Sequence, residues 1–430
     1  MNLTSKKHLL SASAVCLTLG TALSLQANEP ATDARLRALE HELSILRQEL
    51  SAEKANRAQR PTDFVAGEYV PEPEPMADPV DRDEVFVTPK QSAVTELKVR
   101  GRMHYQFGYA SADEYSDFST QEWRRLRLGV SGKILDDWSF ELVGNIQTTD
   151  SSTLLEDAYL RYNGLDWTTI TFEHLRPRFG AELNTSSSKI KTVERSNISN
   201  SFDPGKITGI SFAGDYGIFD YQLGAYNGES GDQRSSELTN RGNEGVPEYL
   251  LNASVGLDFS EQVGLDQLAF RLDYIDNADD DGIDQKFGPE SAWAASVSLA
   301  TGRFSFLAEY VHAELFNGGE IDGFYLMPSV MLTDKLEAVL RYENMEADGG
   351  GSVRHQSRYA RRVVASDPGV SSAGSTRGED YWALYGGVNY YINKSLKFMF
   401  GVEYAELDDI SGSRDSIDTV TGFGAIRLEF

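Results

Sequence analysis

From about residue 94 to the carboxy terminus, apolar and polar positions alternate with a period of two, in runs of about ten residues separated by turn residues. In the first run Leu97, Val99, Gly101, Met103, Tyr105, Phe107 and Tyr109 share one face, while Lys98, Arg100, Arg102, His104 and Gln106 share the other. Leu126, Leu128 and Val130 separate from Arg125 and Arg127 in the same way, as do Leu396, Phe398, Phe400, Val402 and Tyr404 from Lys397 and Glu403. Sixteen such runs are present, and their connections sort by parity. Those after most even-numbered runs are tight, as at Asn163-Gly164-Leu165-Asp166, Thr301-Gly302 and Thr333-Asp334, whereas those after odd-numbered runs reach about 35 residues, between Met345 and Asp380. Short turns on one rim and long loops on the other belong to an outer-membrane barrel; a soluble sandwich or propeller has no reason to sort its loops this way. The pattern predicts an all-β chain whose residues 94–430 form a 16-stranded antiparallel transmembrane β-barrel. The basic face must look into the lumen, because one lipid-facing charge near the midplane costs roughly 2 to 4 kcal/mol. Trp123, Trp138, Tyr342, Trp382, Tyr390 and Tyr404 lie near run ends, where aromatic girdles belong.

The last run repeats the pattern, with Phe430, Leu428, Ile426, Gly424 and Gly422 on one face. A terminal aromatic on the lipid face resembles the address read by the bacterial barrel-assembly machinery, which makes Phe430 a candidate assembly signal and that machinery a candidate partner.

Three segments precede the barrel. Lys6 and Lys7 before the apolar stretch Leu9 to Leu25, and Ala27 at a cleavable position, predict a signal peptide over residues 1–27. The stretch is too interrupted and short to anchor as a spanning helix. Residues 28–58 carry Leu36, Leu43 and Leu50 at one heptad position and Leu39 and Leu46 at the other, which predicts a short periplasmic coiled coil or a lone amphipathic helix. Residues 59–93, with Pro71-Glu72-Pro73-Glu74-Pro75, read as an extended linker rich in proline and acid. The only cysteine, Cys16, falls in the signal segment, so the mature chain is expected to use no disulfide or thiolate chemistry.

A formal charge of −26 argues against nucleic acid as a partner. Acidic surface loops suit divalent cations beside lipopolysaccharide, or simply solvation. No phosphate loop, metal-spaced histidine cluster or nucleophile elbow is evident, so neither an enzyme nor a cofactor is expected. A barrel hydrolase with a serine and histidine on its outer face, and a structural envelope tether, are the alternatives from other classes. Asn277-Ala278-Asp279-Asp280-Asp281-Gly282 partly matches a calcium loop but has Gly288 where the closing glutamate should stand. Arg354, His355, Arg358, Arg361 and Arg362 form a basic run in the longest loop, suited to gathering anions, to lipopolysaccharide phosphates, or to plain solvation.

Leu155-Glu156-Asp157-Ala158-Tyr159-Leu160-Arg161-Tyr162, followed by Arg176-Pro177-Arg178-Phe179-Gly180-Ala181-Glu182 and by Thr185-Ser186-Ser187-Ser188 through Glu194-Arg195-Ser196, resembles the phosphate-selective porin O and P family. The resemblance implies a homotrimeric outer-membrane channel for passive diffusion of small solutes, whose third outer loop folds inward and whose constriction favours small inorganic anions. On that reading Lys98, Arg100, Arg102, Arg125, Arg127 and Arg161 line the channel from neighbouring strands. Ser187, Lys189, Lys191 and Arg195 approach from the third loop. Inward Asp258, Asp273, Glu309, Glu337, Glu343 and Glu403 leave open a second reading, in which the arginines only balance these acids and the channel is a general diffusion porin.

Overall fold

In the computed structural model, residues 93–112, 117–146, 155–227, 249–277, 288–355, 358–365, 377–408 and 416–430 are described. The segments expected as signal peptide, coiled coil and most of the linker, and the calcium-like loop between Asn277 and Gly288, lie outside the described residues.

The sixteen strands of one closed antiparallel barrel are β1 Val94–Ala112, β2 Phe118–Ile134, β3 Trp138–Asn145, β4 Leu155–Tyr162, β5 Thr169–Leu175, β6 Ile207–Tyr216, β7 Phe219–Asn227 and β8 Tyr249–Asp258, then β9 Gln267–Asn277, β10 Ser291–Thr301, β11 Phe304–Glu314, β12 Glu320–Met331, β13 Leu336–Asp348, β14 Asp380–Tyr391, β15 Leu396–Asp408 and β16 Ser416–Glu429. Each pairs with its sequence neighbours, and β16 closes on β1. Every strand overlaps its predicted run, because alternation is imposed by the two solvents and survives whatever the loops do. The outward face carries Phe107, Leu128, Phe172, Leu223, Leu272, Leu340 and Phe400, all well exposed on the isolated chain. Such side chains are stable outside only against lipid.

One register break matters for the lumen. Between His104 and Tyr105 of β1 the pairing with β2 shifts, so that His104 faces Arg125 while Tyr105 faces Trp123. Arg124 is the extra residue of this β-bulge, and a bulge turns consecutive side chains toward the same side. Strict alternation would have put Arg124 in lipid; the bulge turns it inward, where its Nε is 3.4 Å from Glu194.

The seam is fastened at the last residue. Gly101 donates its amide to the Phe430 carbonyl at 2.7 Å and accepts from the Phe430 amide at 3.0 Å. The Phe430 ring covers Gly101, where any Cβ would collide with it. Deleting Phe430 removes both bonds, each worth about 0.5–1.5 kcal/mol net, together with the ring contact. The expected result is less folded barrel in membranes and a lower temperature for loss of the folded form in detergent gels. A truncated chain that folds to wild-type yield would show that closure does not depend on this residue.

Candidate functional site

The connection from β5 to β6, residues 176–206, enters the barrel and contains two short helices, α1 Ala181–Asn184 and α2 Asn197–Ser201. Phe179, Leu183, Ile198 and Phe202 bury against inward Leu250, Ile275, Val311 and Tyr325, which gives the loop an apolar seat on the wall of β8 to β12.

The polar anchoring follows the same side of the lumen. The Gly180 amide donates to Asp273 at 2.9 Å, the Ala181 amide to Glu309, and the Asn197 amide to Glu343 at 2.7 Å. Lys191 reaches Glu337 at 2.7 Å and the hydroxyls of Ser305 and Ser329 at 2.5 and 2.7 Å. Lys397 donates to the Ile190 carbonyl at 3.0 Å, and Arg427 to the Ser187 and Val193 carbonyls at 2.8 and 2.5 Å. At the centre Arg341, 1% exposed, lies 3.0 Å from Glu403 and 3.5 Å from both Glu343 and the loop's own Glu182. Glu182 in turn accepts from the Ser196 amide at 2.8 Å and the Ser199 hydroxyl at 3.0 Å. The far-wall acids Asp273, Glu309, Glu337, Glu343 and Glu403 are thus buried beneath the loop, none more than 4% exposed.

The opposite wall is different. Arg100 pairs with Glu141 at 2.9 Å and keeps 40% of its side chain exposed. Arg102 reaches Glu429 at 2.9 Å and the hydroxyls of Ser186 and Ser187, each at 3.0 Å. Arg127 pairs with Glu156, as does Lys206 at 2.8 Å, with Asp157 a further 2.5 Å partner of Lys206. Arg161 donates to Thr171 at 3.1 Å and sits over the Tyr159 ring. Lys98 lies 3.2 Å from Glu96. The Arg125 Nε is buried without a hydrogen-bond partner, and so are both ring nitrogens of His104, which is 1% exposed. Farther round, Arg178 and Arg271 converge on Asp220 at 3.1 and 2.8 Å.

Of the ten channel residues expected from sequence, the structure brings Arg102 and Ser187 together and sets Arg125 and Arg127 beside them on β2. Lys189 is exposed on the loop. Two are turned to other work: Lys191 is spent on Glu337, and Arg195 donates to the carbonyls of Glu182 and Thr185 at 3.0 and 2.8 Å, bracing the loop itself. Residues of the network that were not among the expected channel residues are Arg124, Glu182, Glu194, Lys206, Arg341 and Arg427. A charge at a nominally lipid-facing position was the available signal for Arg124. Burial raises the Glu194 carboxyl, but Arg124, Arg125 and the Gln106 amide outweigh it and hold the group at about 2, so it stays ionised where loop and strands meet.

A sequence model of phosphate-selective porin O and P matches residues 97–419. Among solved structures, the chain resembles a loop-deletion mutant of OmpT, an outer membrane protein of Vibrio cholerae, with 14% identity over 79% of this chain and 100% of that one and a TM-score of 0.50. OprB of Pseudomonas putida is similar at 10% identity over 78% of this chain and 94% of that one, with a TM-score of 0.53. The outer membrane channel DcaP of Acinetobacter baumannii matches at 16% identity over 80% and 100%, with a TM-score of 0.48. No curated protein matches the chain significantly.

Proposed function

The chain belongs to the phosphate-selective porin O and P family and is a porin of the bacterial outer membrane, and from that premise we propose that its passage prefers anions. The observation that carries the proposal is the asymmetry of the lumen. The far-wall carboxylates are consumed by the third outer loop, while Arg100, Arg102, Arg125, Arg127 and Arg161 on the opposite wall keep part of their side chains exposed. Several guanidinium and hydroxyl groups along one path replace an anion's water in small steps, so binding is strong enough to admit an ion and weak enough to release it.

A finer reading, inorganic phosphate or polyphosphate as the solute, is favoured by Ser186 and Ser187. Both hydroxyl oxygens accept from Arg102, and Ser186 shares a further bond with Ser188 at 2.9 Å, so guanidinium and hydroxyl groups that suit an oxyanion lie together. Homotrimeric assembly, contact with lipopolysaccharide, delivery by the barrel-assembly machinery, and a cleaved leader followed by a periplasmic coiled coil and linker complete the proposal.

The test is the reversal potential of purified wild-type channels in asymmetric potassium chloride, followed by block with phosphate, diphosphate and sulfate. The expected sign is that of an anion-preferring pore, with phosphate blocking chloride current. A cation-preferring wild type would overturn the proposal and leave a general diffusion porin.

A further inference from the structure

In the connection from β13 to β14, the described residues 353–355 and 358–363 also turn into the lumen, against the third outer loop. Val353 and Arg354 form a two-residue ladder with Arg377 and Gly378, and α3 spans Ala360–Ala365. Tyr359 and Val363 are both 0% exposed and share a core with Ala110, Ala112, Val193, Met399, Ile417 and Phe423. The strand residues in that group are inward positions of β1, β15 and β16, and Val193 is part of the third loop. Water-filled barrels line their inner face with polar side chains. A run of small apolar residues at the outer end of β1 therefore calls for a lid of the chain's own making.

Polar contacts hold this segment as well. Arg358 donates from Nε and a terminal nitrogen to the two Glu122 oxygens, each at 2.5 Å, a bidentate pair across 236 positions of sequence. His355 meets the Thr419 hydroxyl at 2.9 Å. The Asn197 side chain donates to the Arg354 carbonyl at 2.9 Å, tying the two inward loops together. The Tyr359 ring lies directly over Gly108, and a Cβ at that position would occupy the same space as the ring. The basic run expected from sequence to gather anions, bind lipopolysaccharide phosphates or stay solvated thus spends Arg358 on Glu122 inside the mouth, and Arg362 over the Phe118 ring.

We propose that residues 353–355 and 358–363 form a second, outer constriction, clamped by the Glu122–Arg358 pair and seated by Tyr359 on Gly108, which limits the size of solute admitted before the arginine wall is reached. Glu122, Arg358 and Tyr359 are positioning residues here; the limit is set by the segment they hold. The proposal rests on the chain being a channel and not on the sign of its selectivity.

The test compares wild type with Glu122→Gln, Arg358→Gln, the charge-swapped Glu122→Arg/Arg358→Glu pair and Gly108→Val, each confirmed folded by its migration in detergent gels before and after heating. The readouts are single-channel conductance and the swelling rate of proteoliposomes in sugars of increasing mass. Breaking the clamp, or displacing Tyr359 with valine, should raise conductance roughly twofold, as expected when a hydrated passage widens, and admit larger sugars. The swapped pair should return toward wild-type values, which a general loss of packing would not do. Gly108→Val leaves the charges untouched, so it separates widening from altered electrostatics. Unchanged conductance and sugar cut-off in all folded single variants would overturn the proposal. A wild type that prefers cations would instead refute the anion reading and leave this one standing.

Discussion

Replacing Arg102, Arg125 and Arg127 together by glutamine should shift the reversal potential of the channel toward cations while the barrel stays folded. A unit charge about 4 Å from a passing ion is worth about 1 kcal/mol even in bulk water, and every 1.4 kcal/mol is about tenfold in an equilibrium. Salt screens over about 8 to 10 Å, a distance longer than the reach of these side chains into the path. The substitution also leaves Glu156 and Glu429 without the arginines they now face, although Lys206 still contacts Glu156. The anion-to-cation permeability ratio should therefore fall by about an order of magnitude. Neutralising Lys191 gives the contrast: the carboxylate it leaves, Glu337, is buried beneath the loop and still accepts from Asn389 and Tyr391, so Lys191→Gln should leave the ratio nearly unchanged and loosen the loop instead. A triple variant with the wild-type ratio would mean that the arginines act only as lumen ion pairs, as in a general diffusion porin.

That contrast marks where sequence reading stops. Strand number, order and facing were legible because a residue between lipid and water obeys a local rule, and the sixteen alternating runs are found as the sixteen strands of the barrel. Phe430 could be placed on the lipid face by the same rule. Within the lumen the rule loses its power. Arg341 and Arg125 both sit at inward positions of alternating strands, yet Arg341 is buried among three carboxylates whereas Arg125 stays partly exposed. What separates them is the third outer loop, which seats on β8 to β16 and meets β1 and β2 through Ser186, Ser187 and Glu194, and nothing local to either strand encodes that. The inward acids were visible in sequence as charges; that they hold backbone amides of a loop, as Asp273 holds Gly180 and Glu343 holds Asn197, depends on contacts between residues more than 90 positions apart. The bulge at Arg124 lies between these cases, signalled by a charge on the wrong face but fixed only by its partner Glu194.

Because the loop is held by this buried network, removing its central cation should have the largest structural effect of any single lumen change. Arg341→Ala leaves Glu182, Glu343 and Glu403 facing one another with no cation between them, all nearly inaccessible to water. Breaking a buried ion pair from one side costs about 3 to 5 kcal/mol, mostly the penalty of the stranded charges. The barrel ladder does not pass through Arg341's side chain, so the cost should fall on the docking of the loop. The expected result is a folded barrel with larger, noisier conductance and a loop newly open to proteolysis between residues 181 and 201. Adding Glu343→Gln and Glu403→Gln to Arg341→Ala should recover part of the wild-type conductance, since replacing both sides of a buried pair is far cheaper than stranding one. If Arg341→Ala instead kept wild-type conductance and protease resistance, the loop would have to be held by its apolar seat of Phe179, Leu183 and Ile198, and the far-wall acids would need another explanation.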